Sequence, residues 1–258
     1  MSTALHYNGV LPLPRLPLVL HWREPDKPLP VRPVRTPPRG RSRPPRHDFS
    51  AHLPTGHAGQ PFDFCGHVRR LCADITERCA ALYHVDVSRL LFGMTQARTG
   101  RVHGLQARTT PLRFRHGHLI RQRRGTTYQV QRYFVGSREM LYLVTFCLPR
   151  FLDQDFEDKF VTLFHELYHI SPSFDGDLRR HNGRYAVHSH SKRCYDQHMA
   201  DLAGGYLASN PDPALHAFLR LNFAQLLGRH GSVVGVVVPR PKLIPVATSS
   251  LGLLKKQG

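Results

Sequence analysis

Phe164-His165-Glu166-Leu167-Tyr168-His169-Ile170 is an H-E-x-x-H stretch set in a segment of helical periodicity. Phe156, Phe160, Leu163, Phe164 and Leu167 recur at i, i+4, i+7, i+8 and i+11, the stripe of a half-buried helix. Asp153 or Asp155 is placed to cap its start. On such a helix positions i and i+4 share a face about 6 Å apart, so His165 and His169 can aim two imidazole nitrogens at one cation, and Zn2+ is the ion that takes such a pair. Glu166 lies one residue further round. There it stands beside the ion and can take a proton from a metal-activated water. The plain alternative is a polar helix face that happens to repeat histidine.

A catalytic zinc usually takes three protein ligands and leaves one position for water. No glutamate follows Glu166 in the chain, which excludes a third ligand of that type downstream. Asp175, Asp177, His181, His188, His190, Asp196 and His198 remain. His181 ranks first because it follows the Asp175-Gly176-Asp177 turn, at a distance that lets a loop fold back over the helix end. His190 comes second, and His188 and Asp175 follow. Asp175 is six residues past His169, a spacing used by one class of zinc peptidases, but Pro172 stands where that class has a glycine for a sharp turn. A separate zinc knuckle from His188, His190, Cys194 and His198 lacks the usual paired spacings.

Upstream of the motif, Phe64, Val68, Leu71, Ile75, Cys79 and Leu82 predict a helix from an Asp63 cap to about residue 83. Strands are expected at residues 85–97, 126–135 and 140–148, the last a buried run that leads into the motif helix. Downstream, residues 195–207 and 214–227 predict helices that back it, and residues 233–238 an edge strand. A small mixed sheet followed by a helix that carries the metal-binding motif is the arrangement of a zincin. The expected class is therefore α+β, with a zincin-like metallopeptidase domain at residues 61–240.

Residues 1–60 hold 12 of the 21 prolines and alternate Arg with Pro between residues 32 and 46, so a disordered Pro/Arg-rich arm is expected there. Residues 241–258, with Pro241, Pro245 and a closing Lys255-Lys256, predict a flexible tail. No run reaches the roughly 18 apolar residues of a membrane span. The five cysteines include no C-x-x-C pair, and Cys65, Cys72 and Cys79 fall seven apart on one helix stripe, as buried thiols in a reducing, cytoplasmic setting would.

The net charge is +18, of which +6 falls in residues 1–60 and +12 in the remainder. Such a field favours polyanions. Residues 113–124, with Arg113, Arg115, Arg121, Arg123 and Arg124, form the densest basic cluster outside the arm. With the arm, this cluster is the candidate nucleic-acid surface; a solvated hairpin is the plain alternative.

The stretch Leu163 to Ile170, the following Phe174-Asp-Gly-Asp-Leu-Arg-Arg180, and the upstream Pro111-Leu-Arg-Phe114 and Leu148-Pro-Arg-Phe151 resemble a family of phage and prophage metallopeptidases over roughly residues 62–240. The resemblance implies a zincin-like hydrolase with His165 and His169 as ligands and Glu166 as base. It also implies that the turn from Asp175 to Arg180 belongs to the site, and a host bacterial cytoplasm if the chain is phage-encoded. The leading expectation is a zinc metallopeptidase acting on a protein or peptide. Two alternatives stand beside it: a DNA-dependent protease resembling SprT-type enzymes, and a non-enzymatic basic nucleic-acid-binding or phage protein with a structural zinc.

Overall fold

A computed structural model describes residues 17–22, 29–37, 53–99, 104–180 and 192–246. In chain order the elements are β1 (Val19–Trp22), β2 (Val31–Pro33), β3 (Phe62–Asp63), α1 (Phe64–Arg78), β4 (Leu90–Gln96), β5 (Ala107–Pro111), β6 (Ile120–Arg123), β7 (Thr126–Val130), β8 (Arg132–Val135), β9 (Arg138–Met140) and β10 (Tyr142–Leu148). They continue with α2 (Phe156–Tyr168), α3 (Lys192–Ala208), α4 (Pro213–His216), α5 (Phe223–His230), β11 (Val233–Val236) and β12 (Leu243–Pro245). The class is α+β, with small mixed sheets as expected.

The sheet that positions the motif has the order β4-β10-β5, with β10 parallel to β4 and antiparallel to β5. β10 is apolar except for Thr145, because both of its faces are largely covered. Tyr142, Val144, Phe146 and Leu148 face the main core with Phe64 of α1 and Phe160, Phe164 and Leu167 of α2. Leu143 faces a second core with Leu91, Leu112, Tyr133 and Met140.

α1 begins as its sequence dictates: the Asp63 carboxylate accepts from Gly66 N at 3.0 Å and Phe64, Val68, Leu71 and Ile75 are fully buried. It ends at Arg78 and gives way to a short 3-10 turn at Ala80–Leu82, earlier than the apolar spacing suggests. The cysteine stripe is buried as expected, and burial pushes the Cys65 thiol up to about 12. The segment expected as a single strand at residues 126–135 divides into β7 and β8, which belong to different sheets. The expected helix at residues 214–227 also divides, at Asn222, whose side chain accepts from Gln225 N and opens α5 with a capping box.

Two boundaries need correction. Within residues 1–60, β1 pairs in parallel with β8 and β2 pairs antiparallel with β11, while Val34 is buried in the main core. The proline-rich composition conceals enough apolar side chains, Leu20, Trp22 and Leu29 among them, to cover the second core. Prolines are tolerated because both strands lie at sheet edges. At the other end β12 pairs with β7 and buries Ile244, so the body extends through residue 246 rather than 240. The rest of the expected arm and tail lies outside the described residues.

Candidate metal centre

α2 carries the motif in its last turn and is held at two levels. Near its start, Lys159 is buried and donates to the carbonyls of Leu219 and Leu221, each at 2.8 Å. Near its end, the chain doubles back. Ile170 and Leu178 form an antiparallel bridge, Arg179 N donates to His169 O at 2.7 Å, and Arg179 Nε donates to Tyr168 O at 2.8 Å. The guanidinium lies 3.9 Å from the centre of the Tyr168 ring. A cation and two donors on the terminal carbonyls satisfy groups that a helix end otherwise leaves open, and complement its dipole.

The turn before Arg179 is built on Asp175, Gly176 and Asp177. Gly176 sits at φ +88°, where an added Cβ would meet Arg113 Cγ at 2.5 Å. Tyr142 Oη accepts from Gly176 N at 3.0 Å and donates to Asp177 O at 2.8 Å. The Asp177 carboxylate accepts from Leu178 N, His116 N and the Arg180 guanidinium, and the Arg180 charge with these donors holds it below the usual carboxylate range against its burial. Asp175 accepts from Asp177 N at 3.0 Å. Both aspartates thus shape the turn.

The two motif histidines converge. His165 Nε2 and His169 Nε2 are 2.9 Å apart, with the rings nearly perpendicular. Two nitrogens that share one tetrahedral zinc at about 2.0–2.1 Å each stand about 3.3–3.4 Å apart, so the pair would have to open by a few tenths of an ångström to hold that ion. Glu166 is 6 % exposed, and its Oε2 has no hydrogen-bond partner among the described residues. Burial pushes this carboxyl up to about 7, while Thr109 and the Arg108 charge pull the other way. A divalent cation nearby would favour the ionised form.

Two residues at the site carry no mark in the sequence. Thr109 of β5 donates from Oγ1 to Glu166 O at 2.8 Å, which fixes the motif helix against the sheet. Tyr195 of α3 packs its ring 5.1 Å from His165 and 6.3 Å from His169, and burial with the neighbouring Tyr168 and Glu166 raises its phenol. The stripe Tyr195, Met199, Ala203 and Tyr206 identifies the buried face of α3, but nothing in the spacing says that its first member meets the histidines.

Among the described residues no third His, Cys, Asp or Glu joins His165 and His169. Asp175 stands in the turn, where its carboxylate accepts from Asp177 N. His198 is exposed and meets the edge of Tyr168 at 5.3 Å. His181, His188 and His190 lie outside the described residues, so the alternative knuckle with Cys194 and His198 falls partly outside them too. The basic cluster at 113–124 also divides. Arg113 is buried and ion-paired with Glu139 at 2.7 Å, whereas Arg115, Arg121, Arg123 and Arg124 are exposed. Among the described residues no helix is long and apolar enough to cross a membrane. Comparison with protein-family models, with curated proteins and with solved structures finds no match.

Proposed function

We propose that the chain is a zinc-dependent peptidase in which His165 and His169 are ligands and Glu166 is the general base. The observation that carries this assignment is the approach of the two ring nitrogens to 2.9 Å beside a buried carboxylate oxygen with no partner among the described residues. A carboxylate held in that way costs stability, and a merely structural metal site has no use for it. The third ligand is assigned to His181, with His190 and His188 behind it.

When bound, Zn2+ supplies Lewis acidity at a carbonyl oxygen and lowers the pKa of a water to about 7. Glu166, rigid on α2 and screened from bulk solvent, takes a proton from water and returns it to the departing amine. Tyr195, whose ring packs against both histidines and whose phenol burial keeps protonated, is assigned as a hydrogen-bond donor to a carbonyl oxygen as it gains charge. Thr109 and Arg179 position the helix.

The test is hydrolysis of an unfolded protein substrate by wild type and by Glu166→Ala, with zinc content measured on both. The expected result is about one zinc per chain in each and hydrolysis only in wild type. Equal hydrolysis with alanine at this position would overturn the assignment.

A further inference from the structure

The β4-β10-β5 sheet has a second concavity on the face turned away from α1 and α2. Side chains alternate across a strand, so Thr109, Tyr142 and Val144 face the helices, while Arg108, Leu143 and Thr145 face the opposite side. The segment after β11 is laid across this face. It comes close because the residue it crosses on β4 is glycine: a Cβ on Gly93 would meet Val238 Cγ2 at 3.2 Å. The cavity that results has a volume of about 510 Å3. That lies in the range of about 300–1,000 Å3 found for small-ligand sites.

Its chemistry is one-sided. Arg32, Arg35, Arg108 and Arg240 line it, and among the described residues no carboxylate does. None of the four makes an ion pair with a carboxylate among the described residues. Arg35 is placed by a reciprocal pair in which its N donates to Gln96 Oε1 and its O accepts from Gln96 Nε2, each at 2.8 Å. The floor is apolar, from Leu143 and Val238, with the hydroxyl-bearing Thr95, Thr110 and Thr145 beside it. Four guanidinium groups from three segments around one cavity repel one another, and a bound anion relieves that repulsion. An apolar floor with hydroxyls suits the face and edge of a base; the arginine rim suits phosphates.

We infer that this cavity binds a nucleotide unit, with an unpaired base on the Leu143 and Val238 floor and its phosphates on Arg32, Arg35, Arg108 and Arg240. A free nucleoside triphosphate and one residue of a single strand offer the same chemistry, and the site is independent of the peptidase assignment. The test titrates the full chain with a labelled oligothymidylate, with the same sequence as a duplex, and with fluorescent ATP, at about 150 mM salt. The charge reversal R108E/R240E should weaken the bound ligand by about tenfold or more, and the matched reversal R121E/R123E on the β6–β7 hairpin by less than about threefold. Should charge reversal impair folding, R108Q/R240Q carries the same comparison. Binding of the strand alone assigns a single-stranded ligand, and binding of ATP alone a free nucleotide. Equal loss from both reversals, duplex bound as tightly as single strand, or neither ligand bound would overturn the inference.

Discussion

Lys159 links the stability of the motif helix to pH in a way that can be calculated. It is 2 % exposed on α2 and donates to two backbone carbonyls, the number a neutral amine can satisfy with its two N–H groups. Burial takes its pKa from 10.5 down to about 7, against the opposing pull of Asp153 and Asp155. The sign follows from proton counts. Below about pH 7 the amine is protonated in both folded and unfolded chains, and the cost of burying the charge is present in full. Between about 7 and 10.5 the unfolded chain still holds the proton and the folded one does not, so stability rises with pH. The full displacement is worth about 5 kcal/mol, and about 3 kcal/mol of it falls between pH 7 and 9.5. The assay is urea denaturation of wild type and Lys159→Met at several pH values. The difference isolates this group, since contributions shared by both proteins cancel. The wild-type stability minus that of the variant should climb by about 1.4 kcal/mol per pH unit above 7. A difference that is flat with pH would refute the reasoning, whatever the stability of the variant at any single pH.

Three further outcomes are expected. Tyr142→Phe removes both hydrogen bonds to the Asp175–Asp177 turn and should cost about 2–3 kcal/mol by denaturation, with zinc affinity reduced because Arg179 is no longer held in place. Gly176→Ala adds a Cβ into Arg113 at a positive φ, and should destabilise by more than about 1 kcal/mol and expose the motif turn to proteolysis. Tyr195→Phe should lower kcat by about ten- to a hundredfold with zinc content and KM little changed, measured on a defined peptide.

The central elements were legible in sequence where one physical cause dominates. The α2 stripe and the α1 cap have strong periodicity and a specific capping residue, and β10 is apolar on both faces, so each was expected near its observed place. β5 was not, because Arg108 and Thr110 face the cavity and leave only Ala107 and Thr109 buried, too polar an alternation to stand out. The strands inside the proline-rich arm were hidden for a related reason. Composition averages over a segment, whereas Leu20, Trp22 and Val34 act singly, each against a surface formed far along the chain. In the site, the spacing of His165, Glu166 and His169 is local, and the helix that carries it stands where its apolar stripe predicts. The contribution of Tyr195 depends on how α3 crosses α2, and the role of Asp177 depends on Arg180 and His116. Neither relation is encoded by spacing.

The most direct measurement of the metal centre is elemental analysis of the purified full chain, after dialysis against zinc, beside the double variant His165→Ala/His169→Ala. About one zinc per chain in wild type, falling to below about a tenth in the folded double variant, is the predicted result. Zinc retained in full without the two imidazoles, or no zinc in the wild-type chain after loading, would contradict it.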